Sequence, residues 1–141
     1  MDTKIVKTKA GVIQVLSKKD VVYSLSFIVD NLTGCTLTKD KLVNYLNRTH
    51  RYKLIGTPFQ LSVWEEIVRI PYGSTKTYSE IAIAIGRPTS YRAVANACGK
   101  NKIALIIPCH RVVTKNGLGG YAYGVDVKKM LLEFEQDNPI Y

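Results

Sequence analysis

Two short patterns beginning twenty residues apart constrain this chain most. Thr57-Pro58-Phe59-Gln60 and Thr77-Tyr78-Ser79-Glu80 each place a threonine three residues before Gln or Glu. In that arrangement the threonine hydroxyl accepts from the third helical N–H, and the longer side chain reaches back to the threonine N–H. Pro58 at the first helical position reinforces the first start. The first helix is predicted to run to Ile70, where Pro71-Tyr72-Gly73 stops it, and the second to end at Gly86. After Arg87-Pro88, Thr89 or Ser90 caps a third helix that runs through Cys98 and closes at Gly99. Two short helices around a turn containing Gly and Pro, the second carrying Arg92, read as a helix-turn-helix. A helical hairpin packed in a core is the open alternative.

The flanks read differently. Lys4–Thr8, Val12–Leu16 and Val21–Val29 are β-branched or alternating runs, so strands are expected. Asp30–Cys35 reads as a loop, and Thr38–Asn47 as an amphipathic helix with Leu42, Tyr45 and Leu46 inward. Downstream, Ile103–Pro108 is apolar but too short for a helix, and Asn116-Gly117 predicts a small hairpin over Val112–Leu118. Gly119, Gly120 and Gly124 make the next loop permissive of close backbone approach. A last helix from about Val125 to Gln136 is expected to bury Val127, Leu131 and Phe134, and Asn138-Pro139 ends it. A boundary near His50–Ile55 then divides the chain into 1–54, a small β-sheet domain with a helix, and 55–141, a helical domain. The fold class is α+β.

With 141 residues, 46% hydrophobic and 22% charged, the chain can bury a core, which excludes wholesale disorder. No apolar run approaches the roughly 18 residues of a membrane span, and the N-terminus lacks a signal-peptide pattern. Cys35, Cys98 and Cys109 are spaced too widely for a disulfide framework or a metal pair, and His50 with Cys35 offers too few ligands for a metal site. The expectation is a cytoplasmic, reducing location, with no cofactor and no metal. The charge is less ordinary. The chain carries +9, and residues 87–129 hold eight basic side chains against one acid, Asp126, a net of +7. Such a block is either the footprint of a polyanion, most often nucleic acid, or a solvated basic surface.

Cys109 follows an apolar run and a proline, and His110 comes directly after it. A thiol becomes a useful nucleophile when an imidazole or a positive field favours its thiolate. Adjacent residues on an extended strand point to opposite faces, so a turn or a bridging water would be needed to couple the two. Glu135 or Glu133 could orient the imidazole. The competing reading is a buried structural cysteine beside a surface histidine.

The pentapeptide Pro108-Cys109-His110-Arg111-Val112 resembles the active-site signature of the O6-alkylguanine-DNA alkyltransferases, which take the alkyl group of O6-alkylguanine onto cysteine. Gly56-Thr-Pro-Phe-Gln60, Ile70-Pro-Tyr-Gly73, Thr77-Tyr78, Arg92-Ala-Val94, Asn101, Gly120-Tyr121 and Leu131-Leu132 with Glu135 resemble the same family, in order, over about residues 55–136. The resemblance implies an RNase H-like N-terminal domain and a winged-helix-like DNA-binding domain. It also implies single-turnover repair of O6-alkylguanine, with O4-alkylthymine as a lesser substrate. The implied partner is double-stranded DNA entered through the minor groove by a monomer, with cooperativity left open and no membrane involved. Cys109 would be the irreversible acceptor, His110 its base through a water, Glu135 the group orienting His110, and Asn101 a structural hinge. Tyr78 would donate to the departing guanine with Lys128 behind it. Arg92 would replace the extruded nucleotide, and Tyr121 with the backbone around Val112 would line the pocket.

Three departures bear on that implication. The first third is short and lacks the cysteine and histidine set that binds zinc in some members. Tyr123 stands where many members have glycine, so a narrowed pocket favouring methyl over benzyl groups is expected. Cys98 lies on the proposed recognition helix, where it reads as a small packed residue. The related alkyltransferase-like proteins, which bind lesions without repairing them, have another residue in place of the cysteine, and Cys109 argues against that class.

Overall fold

The computed structural model describes residues 2–8, 11–28, 42, 44–46 and 50–139. They belong to two compact units, 1–54 with 102–106, and 55–101 with 107–141. The Asp30–Cys35 loop and most of Thr38–Asn47 lie outside the described residues.

In the first unit β1 (Asp2–Thr8), β2 (Gly11–Lys18) and β3 (Val21–Ile28) form an antiparallel meander. The β2–β3 turn rests on Lys19 and Asp20 at φ 50° and 66°, the left-handed pair that a two-residue hairpin turn requires. β4 (Arg51–Tyr52) pairs in parallel with β3, giving the order β1-β2-β3-β4. The register sets Val6 opposite Ile13 and Val15 opposite Leu25, and these four are buried on one face. Leu42, Tyr45 and Leu46 are helical and buried, as their spacing predicts, and the Tyr45 ring stacks on His50.

Residues 102–106 were expected in the second domain but lie in the first unit. The Leu25 N–H donates to Lys102 O, and the Ala104 N–H to Leu25 O, both at 2.9 Å, so Ile103 sits beside β3 as an added bridge. An apolar run carries no mark of its pairing partner, so the sequence reads as continuous where the backbone is shared out.

The second unit holds α1 (Pro58–Ile67), β5 (Lys76–Thr77), α2 (Tyr78–Ala84), α3 (Tyr91–Gly99), a 3₁₀ turn at Cys109–Arg111, β6 (Val112–Val113) and α4 (Val125–Asp137). Both capping boxes form. Gln60 N–H donates to Thr57 Oγ1 at 3.1 Å, and Glu80 N–H donates to Thr77 Oγ1 at 3.0 Å. The return bonds from the threonine N–H groups are 3.0 and 3.2 Å. α1 stops short of the expected Ile70 because its last turn tightens: Arg69 N–H bonds Glu66 O and Ile70 N–H bonds Ile67 O, three residues back rather than four. Gly86, at φ 78°, ends α2 with paired bonds from Gly86 N–H to Ile83 O and from Arg87 N–H to Ala82 O. At α3, Ser90 occupies the cap position but its hydroxyl makes no capping bond.

The three helices pack through Val63, Trp64 and Ile67 of α1, Ile81 and Ala82 of α2, and Val94 and Ala97 of α3. Trp64 Nε1–H donates to Ala97 O at 2.8 Å, so the indole is both packed and satisfied. A Cβ on Gly56 would lie 2.6 Å from the Trp64 ring, which explains the glycine before the first cap. Truncating Trp64 to alanine is expected to cost about 3–5 kcal/mol. The outer face of α3 keeps Arg92, Ala93, Ala95 and Asn96 exposed, so the pair is a packed hairpin with a surface-facing second helix.

Two local expectations are corrected. The hairpin over Val112–Leu118 reduces to one bridge between Thr114 and Gly117, because Val112–Val113 pairs instead in parallel with Lys76–Thr77. On α4, Leu131 and Phe134 are buried but Val127 only partly, and Lys128 takes the fully buried position.

Candidate active site

The outer face of α3, Tyr78 at the start of α2, and the loop after β6 enclose a cavity of about 450 Å³. Tyr91, Arg92, Ala95, Cys98 and Gly99 line it from α3, and Cys109, Gly120 and Tyr121 are among the residues lining it from the other side. Arg92 is exposed there, with its guanidinium 5.9 Å from the centre of the Tyr91 ring.

Cys109 and His110 are both buried in the 3₁₀ turn and not on an extended strand. Asn101 Nδ2 donates to Cys109 Sγ at 3.2 Å and to Ile107 O at 2.9 Å, tying the end of α3 to the cysteine turn. The Cys109 thiol is pushed well above the ordinary thiol range, first by hydrogen bonding with the Cys98 thiol and next by burial; the Asn101 bond and the Lys128 charge pull the other way. A group that reacts as thiolate but rests as thiol needs a proton acceptor.

His110 supplies one. Its Nε2 lies 2.6 Å from Glu135 Oε2. A carboxylate only accepts, so Nε2 carries the proton and Nδ1 is left with its lone pair. Nδ1 is buried and has no hydrogen-bond partner among the described residues. Burial lowers the imidazole below its ordinary range, although Glu135 works to raise it, so His110 is held neutral. For Glu135 burial alone would raise the carboxyl, but the hydrogen bonds from His110 and Arg111 and the Arg111 charge outweigh it and hold the group ionised. Glu133, the other candidate, is 62% exposed on its side chain and faces Lys129 at 4.0 Å, so α4 presents Glu135 and not Glu133 to the imidazole.

On the opposite wall Lys128 Nζ donates to Val112 O at 2.6 Å, to Gly120 O at 3.0 Å and to Tyr78 Oη at 3.4 Å. Burial lowers Lys128 to about 8 and raises Tyr78 to about 12, so near neutral pH both keep their protons. Gly119, at φ 73°, lets the loop pass so close that a Cβ would meet Tyr78 Oη at 3.0 Å.

The structure therefore brings together Cys109, Asn101, His110, Glu135, Tyr78, Lys128, Tyr121 and Arg92. Two expected pocket residues are placed differently. Val112 is fully buried, its carbonyl turned to Lys128, and Tyr123 packs edge-on against Tyr121 at 5.6 Å and does not line the cavity. Cys98, expected as a small residue packed inside the helix pair, is only partly buried and lines the cavity. Sequence reasoning missed Arg111 and Gly73, both bonded to Glu135. It also counted Arg111 and Lys128 in a basic surface, whereas they are 4% and 0% exposed, which leaves six of the eight basic side chains on the outside.

A neutral imidazole backed by a carboxylate, in the same turn as a buried thiol that lines a cavity with a helix-borne arginine, defines a protein with a nucleophilic-cysteine site. The comparisons give the class its family. Residues 58–137 match the family model described as 6-O-methylguanine DNA methyltransferase, DNA binding domain. The chain is 44% identical to the probable methylated-DNA–protein-cysteine methyltransferase of Acanthamoeba polyphaga mimivirus, covering 98% of this chain and 99% of that protein. Over 84 residues it is 56% identical to the methylated-DNA–protein-cysteine methyltransferase of Methanosarcina barkeri, a match spanning 53% of that relative. The crystal structure of Mycobacterium tuberculosis OGT in complex with DNA superposes with a TM-score of 0.82 at 33% identity, covering 96% of this chain and 93% of that one. This chain belongs to the 6-O-methylguanine DNA methyltransferase family.

Proposed function

We propose that this protein repairs DNA by direct reversal, taking the alkyl group of O6-alkylguanine onto Cys109 once per molecule. The observation that carries the reading is the His110–Glu135 pair, with its bare Nδ1, in the turn that holds a cavity-lining cysteine. The Cys109 proton passes through a bridging water to His110 Nδ1, and Glu135 stabilises the imidazolium. Sγ then forms a bond to the alkyl carbon as the carbon–O6 bond breaks, and the electron pair stays on the guanine. Tyr78 hydrogen-bonds or gives a proton to the departing base, with Lys128 behind its hydroxyl. The product is a thioether, which ends the life of the acceptor.

The alkyl carbon cannot be reached inside a duplex, so the nucleotide must rotate out, at a cost of a few kcal/mol. Arg92 fills the gap it leaves and offsets part of that cost. Exposed Arg87, Lys100, Lys115 and Lys129 add sequence-independent phosphate attraction, which suits a lesion that occurs in any sequence. Recognition through the minor groove fits the same need. Tyr123 acts from behind Tyr121, stiffening the wall so that methyl groups transfer faster than benzyl groups; comparable rates for O6-methylguanine and O6-benzylguanine would refute this. The protein works as a monomer in the cytoplasm, where reducing conditions keep its thiols free.

The test is intact mass after incubation with a duplex carrying one O6-methylguanine. A gain of about 14 Da at Cys109, absent from Cys109→Ala, is expected for methyl replacing hydrogen. Lesion-selective binding without that gain would make the protein a lesion sensor.

A further inference from the structure

Arg111 belongs to the signature around Cys109, yet the transfer scheme above gives it no task. We propose that Arg111 is a positioning residue for that transfer, clamping the Glu135 carboxylate so that His110 stays neutral and presents Nδ1 to the Cys109 proton; the inference rests on the alkyl-transfer reading.

The geometry is that of a fixed clamp. Arg111 Nε–H straddles the carboxylate, 2.9 Å from Oε1 and 3.1 Å from Oε2, while Nη1 donates to Ile70 O at 2.9 Å. The guanidinium lies 5.6 Å from the centre of the Tyr72 ring, and Tyr72 Oη–H donates to Asn138 O just beyond α4. Gly73 N–H adds a bond of 2.7 Å to Glu135 Oε1, and Gln136 Nε2–H returns one of 2.6 Å to Gly73 O. The turn at 70–73 and α4 are thus pinned together around one carboxylate, whose side chain is 1% exposed.

An isolated carboxylate facing an imidazole in so dry a site would pull a second proton onto the ring. A protonated ring has no lone pair at Nδ1 and cannot take a proton from Cys109. Arg111 prevents this in two ways. Its charge satisfies Glu135, so the carboxylate needs no imidazolium, and that same charge opposes another positive one on His110. The other groups facing the pair are Lys128 on α4, whose charge acts in the same sense on His110, and the neutral Tyr72 hydroxyl. Lysine would keep the charge but not the planar fork that reaches the carboxylate and Ile70 O together.

The experiment measures single-turnover methyl transfer from about pH 5.5 to about 9 for the wild type, Arg111→Gln and Arg111→Lys, with ¹⁵N spectra of the His110 ring. In Arg111→Gln the acid limb should move up by about one pH unit, with a loss that grows as the pH falls, a few-fold near pH 6 and about tenfold at its limit, and that is recovered above about pH 8. Arg111→Lys should keep the limb where it is and be slower at every pH. An even loss in Arg111→Gln with an unmoved limb would overturn the proposal. If Arg111→Gln does not fold, the wild-type spectrum decides: Nε2 protonated and Nδ1 bare at pH 7 is expected, and a doubly protonated ring overturns the proposal. That spectrum needs no DNA, so a bare Nδ1 in a protein that transfers no methyl group would sink the alkyl-transfer reading and not the clamp.

Discussion

His110 Nε2 and Glu135 Oε2 lie 2.6 Å apart in a site that admits almost no solvent, and this contact decides which nitrogen of the ring is the base. Glu135→Gln keeps the size of the side chain but lets an amide compete for either role. Transfer to Cys109 should slow by about 10² to 10³-fold, and stability should fall by about 3 kcal/mol because Arg111 loses its counter-charge. Rates from rapid-quench transfer and urea midpoints check both. A variant that transfers normally would remove Glu135 from the mechanism.

Arg92 touches no core group, so Arg92→Ala should shift stability by no more than about 0.5 kcal/mol. Its transfer rate on duplex DNA should fall about 10- to 100-fold, since the extruded nucleotide leaves an unfilled gap. With O6-methylguanine as the free base, which needs no extrusion, the rate should be unchanged. Equal losses on duplex and free base would place Arg92 in the pocket chemistry.

Lys128 ties pH to stability. Its folded value is lowered by burial to about 8 from an ordinary 10.5, so between those values the unfolded chain binds more protons than the folded one. The Lys128 contribution to stability should therefore rise with pH from about 8 towards 10, opposed from the ordinary thiol range upward by the raised Cys109 thiol and above the ordinary tyrosine range by Tyr78 and Tyr72. The urea midpoint of the wild type relative to that of Lys128→Met should increase between about pH 7.5 and about 9.5.

The Cys98 thiol is the largest influence raising Cys109. Cys98→Ala should lower the pH at which Cys109 reacts with iodoacetamide, with little change in unfolding midpoint. The pH profile of alkylation, read by mass at the Cys109 peptide, checks this. An unmoved profile would assign the elevation of Cys109 to burial alone.

Local pattern determined much of the protein. The two capping boxes, the stop at Gly86 and the inward Leu42, Tyr45 and Leu46 follow from forces acting within one turn or one helix face, which a sequence displays directly. Cys109, His110, Asn101 and Arg92 were legible because short motifs carry them. What stayed hidden depends on contacts made across the chain. Lys102–Ile106 joins β3 through backbone bonds that no side chain announces. By charge alone Arg111 and Lys128 read as surface, although the family resemblance set Lys128 behind Tyr78, and only the carboxylate of Glu135 and the carbonyls of Val112 and Gly120 make their burial affordable. Glu133 and Glu135 are equal candidates on paper. The rotation of α4 separates them, because two residues along a helix turn the side chain through about 200°, sending one carboxylate to solvent and the other to His110.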